Sequence, residues 1–170
     1  MIIELIIGGT VAGFLFWRQH ELQKKLNKII SDEEKLRSRR KKFALKGILD
    51  NLPVVSDKMQ EAKGALETYR DKLDEKEIWN YGYNIKNALD GVSRYTGGDL
   101  FELVSPELYE KLVDMRYIVR LLANYIESYY PQETKFDDFI KALVDDYPAA
   151  LEEVINCQKL VEKELDNTSK

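Results

Sequence analysis

Few residues in this chain have the type and spacing to do chemistry. His20 is the only histidine, and histidine is the side chain most often used to move protons near neutral pH. It falls among Arg18, Lys24 and Lys25 just after an apolar stretch, where a solvated interfacial role fits better than acid-base catalysis. Cys157 is the single cysteine. It excludes an internal disulfide framework, cannot build a thiolate metal site alone, and has no histidine in its part of the chain to activate it as a nucleophile. Asp137-Asp138 and Asp145-Asp146 invite a metal reading, but neither a Glu-x-x-His motif nor a calcium-loop pattern accompanies them. Asp137 suits the first turn of a helix and Asp146 the cap of a following one. Gly8 and Gly13 have phosphate-loop spacing, yet Phe14-Leu15 stands where Lys and Ser/Thr are needed. The expectation is a protein that is not an enzyme, with no cofactor and no metal.

The elements around these residues begin with Met1–Trp17, MIIELIIGGTVAGFLFW, whose only charge is Glu4. Ile2, Ile3, Leu5, Ile6, Ile7, Phe14, Leu15, Phe16 and Trp17 make it apolar enough to be read as a single transmembrane anchor. At 1.5 Å per residue it spans about 25 Å, slightly under a hydrocarbon core of about 30 Å. Trp17 suits the interface, and the basic flank after it places the C-terminal side in the cytoplasm and the N-terminus outside. A cleaved signal peptide fits poorly, because the segment opens on an acid and not on a basic region. Packing of this helix into a larger protein assembly is the competing reading. Gly9 and Gly13, four apart, give a small-residue face where two such helices could approach as a homodimer.

Residues 18–46 form a basic neck, with 11 Lys/Arg against 4 acids, while residues 47–170 carry 15 against 25. Lys35, Arg37, Arg39, Arg40, Lys41 and Lys42 are the dense part, and contact with anionic lipid is the functional reading. Nucleic acid is not expected, since no aromatics interleave and the following body is acidic. Leu22, Leu26, Ile29 and Leu36 keep a broken heptad with Glu33 and Arg40 at two seam positions. Ser31-Asp-Glu-Glu34 resembles a capping box, so the neck reads either as one continuous helical stalk or as two helices with a fresh start there.

From Ala44 onward the apolar period is helical. Ile48, Leu52, Val55, Met59, Ala62, Leu66, Tyr69 and Leu73 alternate by four and three, with a kink or restart expected at Pro53. A second helix is read over 78–95, a turn over Thr96-Gly-Gly-Asp99, and a third helix from Ser105-Pro106-Glu107 to about Tyr130. Val113, Tyr117, Ile118, Leu121 and Tyr125 widen the stripe of that third helix beyond one face, as in a helix that is central or touches a partner. Two further helices are read over 135–145 and 147–165. The fold expected is all-α: a transmembrane helix (1–17), a helical neck (18–46), a four- or five-helix antiparallel bundle (47–166) and a frayed tail (167–170).

Ten tyrosines stand out. Trp79, Tyr81 and Tyr83 are the densest aromatic group and the candidate partner interface. The functional reading is a membrane-anchored interaction protein, an adaptor, accessory subunit or scaffold, with membrane lipid and an unidentified protein as partners. The alternatives are a soluble helical subunit of a larger assembly and a carboxylate-dependent membrane enzyme.

Overall fold

The computed structural model describes residues 2–69, 72–97, 100–129 and 136–168; the side chains of residues 2–15, Phe101, Asp137 and Ala142 lie outside that description. Every element in the described residues is helical: α1 (Ile2–Tyr69), α2 (Glu75–Ser93), α3 (Leu100–Leu103), α4 (Pro106–Glu127) and α5 (Phe136–Thr168). The chain divides into two units, Met1–Arg39 and Arg40–Lys170.

In the first unit α1 runs without interruption through Ser31, so of the two readings of the neck the continuous helix is the one that forms. An Asp-Glu-Glu run caps a helix only where the chain arrives in extended form, and here Asn27–Ile30 are already helical. Among the described residues no helix is long and apolar enough to cross a membrane. The expected transmembrane helix therefore gains no support from the fold, and its side chains through Leu15 lie outside the described residues.

The second unit is the helical body. Its core joins Leu45, Ile48, Leu52, Val55, Met59 and Leu66 of α1 to Ile78, Ile85 and Leu89 of α2, Leu108, Leu112, Met115 and Ile126 of α4, and Phe139, Leu143 and Val154 of α5. The 3.6-residue period read in the sequence is thus the buried face, with two exceptions. Tyr69 is exposed, and Leu73 packs only partly.

Neither internal proline breaks its helix. Pro53 lies inside α1 and Pro148 inside α5, so the two closing helices expected over 135–165 are one. A proline inside a helix costs about 3 kcal/mol through its lost N–H and its ring. Both prolines are on the exposed side, where the carbonyl each frees is nearest to water. Leu52 and Val55 around one, and Tyr147 and Ala150 around the other, are buried and hold the helix on the core. Asp146 consequently sits in mid-helix and caps nothing.

The helix starts follow local chemistry. Asp74 accepts from the Glu77 N–H at 2.7 Å while its own N–H donates to Glu77 Oε2 at 2.9 Å, a full capping box that begins α2 earlier than the apolar period suggests. Ser105 Oγ accepts from the Leu108 N–H, with Pro106 at the first helical position, as its residue types predict. Helix α4 ends at Glu127, with Ser128 as its C-cap. Tyr130, Gly98 and Asp99, assigned to a helix end and a turn, lie outside the described residues.

Candidate functional site

Helix α4 is central to the body and also presents an apolar face outward. Tyr109, Val113, Tyr117 and Leu121 follow one another at intervals of four and are 36%, 45%, 65% and 49% exposed. That spacing puts all four on one side of the helix, opposed to the buried stripe Leu108, Leu112, Met115, Val119 and Leu122. A groove runs along each flank. On the α5 side, Ile118, Leu121, Leu122, Tyr125, Asp146, Ala149 and Ala150 enclose about 490 Å³, mostly apolar. On the α2 side, Leu89, Asp90, Ser93, Val113, Arg116, Tyr117 and Arg120 enclose about 280 Å³ with a charged rim. The result is an apolar ridge between two grooves, with charge at their edges. The sequence pointed to Val113, Tyr117 and Leu121; Tyr109 belongs with them, and its position four residues before Val113 was the available signal.

The aromatic group on α2 divides. Trp79 and Tyr83, one turn apart, stack with ring centroids 5.0 Å apart and are both exposed. Tyr81 points elsewhere, because two residues is more than half a turn, and packs partly against the core. Burial first, and then the nearby Glu61 and Glu77 carboxylates, push its hydroxyl pKa up. Gly82 lies between them and is buried. A Cβ there would stand 2.6 Å from the Ala123 carbonyl oxygen, so α2 and α4 approach to backbone contact at this point.

The basic cluster also divides. Lys35, Arg37, Arg39 and Arg40 are exposed on α1, as is Lys42. Lys41 turns into the body and pairs with Glu164 at 2.7 Å. Since α1 is unbroken through Ser31, Lys35 lies about 27 Å along the helix axis from Trp17, more than three Debye lengths. Lipid contact by this cluster therefore requires the helix to lie along the bilayer surface.

Glu164 is the residue that sequence reasoning missed. It is nearly buried, and besides Lys41 it accepts from the Ser105 N–H at 2.8 Å and the Ser105 hydroxyl at 2.7 Å. Burial alone raises its pKa, but the hydrogen bonds from Lys41 and Ser105 and the Lys41 charge together hold the carboxyl below its ordinary value. One carboxylate thus ties α1, the cap of α4 and α5, beside an open cleft of about 300 Å³ that includes Leu160 and Asn167. Both carboxylate oxygens are engaged by Lys41 and Ser105, so the node is structural.

The remaining reactive types are placed as follows. Phe16, Trp17 and His20 are exposed; the side chains of Ile2, Ile3, Leu5, Ile6, Ile7, Phe14 and Leu15, and the surroundings of Gly9 and Gly13, lie outside the description. The Cys157 thiol is fully buried and donates to the Lys111 carbonyl oxygen, and burial pushes its pKa up to about 12. A protonated, inaccessible thiol is no nucleophile. Among the described residues no three His, Cys, Asp or Glu side chains are grouped to hold a metal. The chain matches no family model, no curated protein and no solved structure.

Proposed function

We propose that this chain is a non-enzymatic interaction protein, held at a membrane by its apolar N-terminal segment and presenting its helical body to a protein partner in the cytoplasm. The observation that carries the reading is the outward ridge of Tyr109, Val113, Tyr117 and Leu121 between two grooves. Large apolar side chains left in water contribute little to the isolated fold, and contiguous aromatic and aliphatic patches are the surfaces that partners cover. Trp79 and Tyr83 on α2 are a second, smaller candidate contact. Support for the anchor comes from the composition of residues 1–17 and the basic flank after it. A homodimer through Gly9 and Gly13 belongs to the same reading.

A second reading has an observation of its own. No helix among the described residues is long and apolar enough to cross a membrane. On that reading the N-terminal segment packs into a larger protein assembly. Alkaline carbonate extraction of membranes carrying the full chain, beside a version lacking residues 1–17, separates the two. Resistance that disappears on truncation supports the anchor; release of both forms supports the assembly. For the docking face, the double variant Val113→Asp/Tyr117→Asp should lose any partner that co-purifies stoichiometrically in mild detergent while keeping its helix content. Retention of that partner by the variant refutes the assignment of this face.

A further inference from the structure

The neck carries an exposed apolar seam. In the unit Met1–Arg39, Leu22, Leu26, Ile29 and Leu36 lie on one side of α1 and are 59%, 54%, 55% and 50% exposed. Their spacing is four, three and seven, with Glu33 at the intervening position. That is a heptad register with Leu22, Ile29 and Leu36 at d and Leu26 and Glu33 at a. The next seam position is the charged Arg40, where the body begins, and the one after it, Phe43, meets Tyr95 edge-on with centroids 5.8 Å apart. We propose that this neck pairs with the neck of a second copy of the chain, in a short, parallel, in-register coiled coil along Leu22, Leu26, Ile29 and Leu36.

Three features select that occupant. A stripe repeating every 3.5 residues fits a helix running alongside it over the same length, because only a supercoiled partner keeps such a seam in contact. Charge fits the parallel orientation. In this register Asp32 stands at g and Arg37 at the following e, the two positions that meet across a parallel pair, and twofold symmetry makes the contact twice. Ile30, also at e and 45% exposed, extends the apolar strip at the same level. The outer f positions, Lys24, Ser31 and Ser38, are polar throughout.

The seam is weak in one layer. Glu33 would face its own copy, and just over two heptads fall short of the three or four that sustain a coiled coil alone. Pairing therefore rests on the anchor reading above, since confinement of both necks to one membrane raises their effective concentration.

The test uses the full chain in vesicles of phosphatidylcholine with a minor fraction of phosphatidylserine. Single cysteines replace Leu22, Ile29 or Leu36 on the seam, and Lys24, Ser31 or Ser38 on the outer face. The native Cys157 is buried and adds little background. Under mild copper–phenanthroline oxidation, seam positions should give about fivefold more same-position disulfide dimer than outer positions, because facing Cα atoms lie within disulfide reach only along the seam. Links at both Leu22→Cys and Leu36→Cys require the parallel register. Glu33→Leu, which completes the apolar seam, should raise the dimer yield of Ile29→Cys severalfold. Equal yields on both faces, or no response to Glu33→Leu, overturns the pairing. Carbonate extraction of the same vesicles keeps the two ideas apart. A chain that resists the wash but links equally on both faces loses only the pairing. One that washes off yet links along the seam loses only the anchor, and one that washes off and links nowhere loses both.

Discussion

Replacing Glu164 with Gln tests the node that joins three helices. The amide keeps the shape of the side chain but presents one acceptor oxygen where the carboxylate presents two, and it carries no charge for Lys41. In the native protein those two oxygens receive Lys41 Nζ at 2.7 Å, the Ser105 N–H at 2.8 Å and the Ser105 hydroxyl at 2.7 Å. A hydrogen bond to a charged group contributes about 1.5–3 kcal/mol, and removing one partner leaves the other poorly satisfied. The Lys41 side chain is a quarter exposed and can recover some hydration. The expected loss at pH 7 is therefore about 2 kcal/mol. Unfolding in urea, followed by tyrosine near-ultraviolet circular dichroism of the full chain, reports on the body, where all ten tyrosines lie. The sign of the pH dependence follows from the depressed carboxyl. Its stabilisation is fully present above the unfolded value near 4.5 and is lost as pH falls through the lower folded value. The gap between native chain and Glu164→Gln should thus close in strong acid, where the native group is also neutral. A gap below about 0.5 kcal/mol at pH 7, the range of an ordinary surface pair, or one that persists unchanged in acid, refutes the assignment.

Two glycines should respond in opposite directions. Gly82→Ala drives a Cβ against the Ala123 backbone and should cost about 1–3 kcal/mol, whereas Gly64→Ala meets open space in an exposed helix and should add about 0.5–1 kcal/mol; paired urea midpoints decide. Tyr147 buries its hydroxyl with no hydrogen-bond partner among the described residues, so Tyr147→Phe should be neutral or slightly stabilising in thermal melts, with the ring still beneath the Lys63 ammonium. Cys157 should resist Ellman's reagent in the folded chain at pH 8 and react at the rate of unfolding, since its thiol is both inaccessible and held protonated. Immediate reaction would refute that burial.

What could be read from the sequence was whatever depends on neighbours along the chain. The buried stripes of α1, α2 and α4 follow the helical period, and Ser105-Pro106 marks the start of α4 because a cap needs only a few adjacent residues. The breadth of α4 likewise flagged its outward ridge. Local rules failed where packing outweighed them. Pro53, Pro148 and Ser31 all carry stop or start chemistry, yet burial on either side of each proline, and helix already formed ahead of Ser31, override it. Asp74 and Glu77 have capping-box spacing, but the apolar period begins only at Ile78 and so marks a later start than the cap does. Glu164 continues the stripe Val154, Cys157 and Val161 at helical spacing, so its inward face was available from the period, but its partners Lys41 and Ser105, more than fifty residues away along the chain, were not.

The close approach of α1 to α2 and the turn after it has a consequence for how this protein can drift over generations. A Cβ on Gly47 would stand 2.4 Å from the Tyr95 ring, and one on Gly91 would stand 2.5 Å from the Asn51 side chain. Each contact joins a residue with no side chain to a bulkier one across the interface, and the two contacts run in opposite senses. The interface can thus exchange volume across itself but cannot gain it on one side. Descendants of this sequence should change these positions in pairs, with growth at Gly47 accompanied by loss at Tyr95 and growth at Gly91 by loss at Asn51. Inherited variation would then record the α1–α2 register as a pattern of compensated sizes.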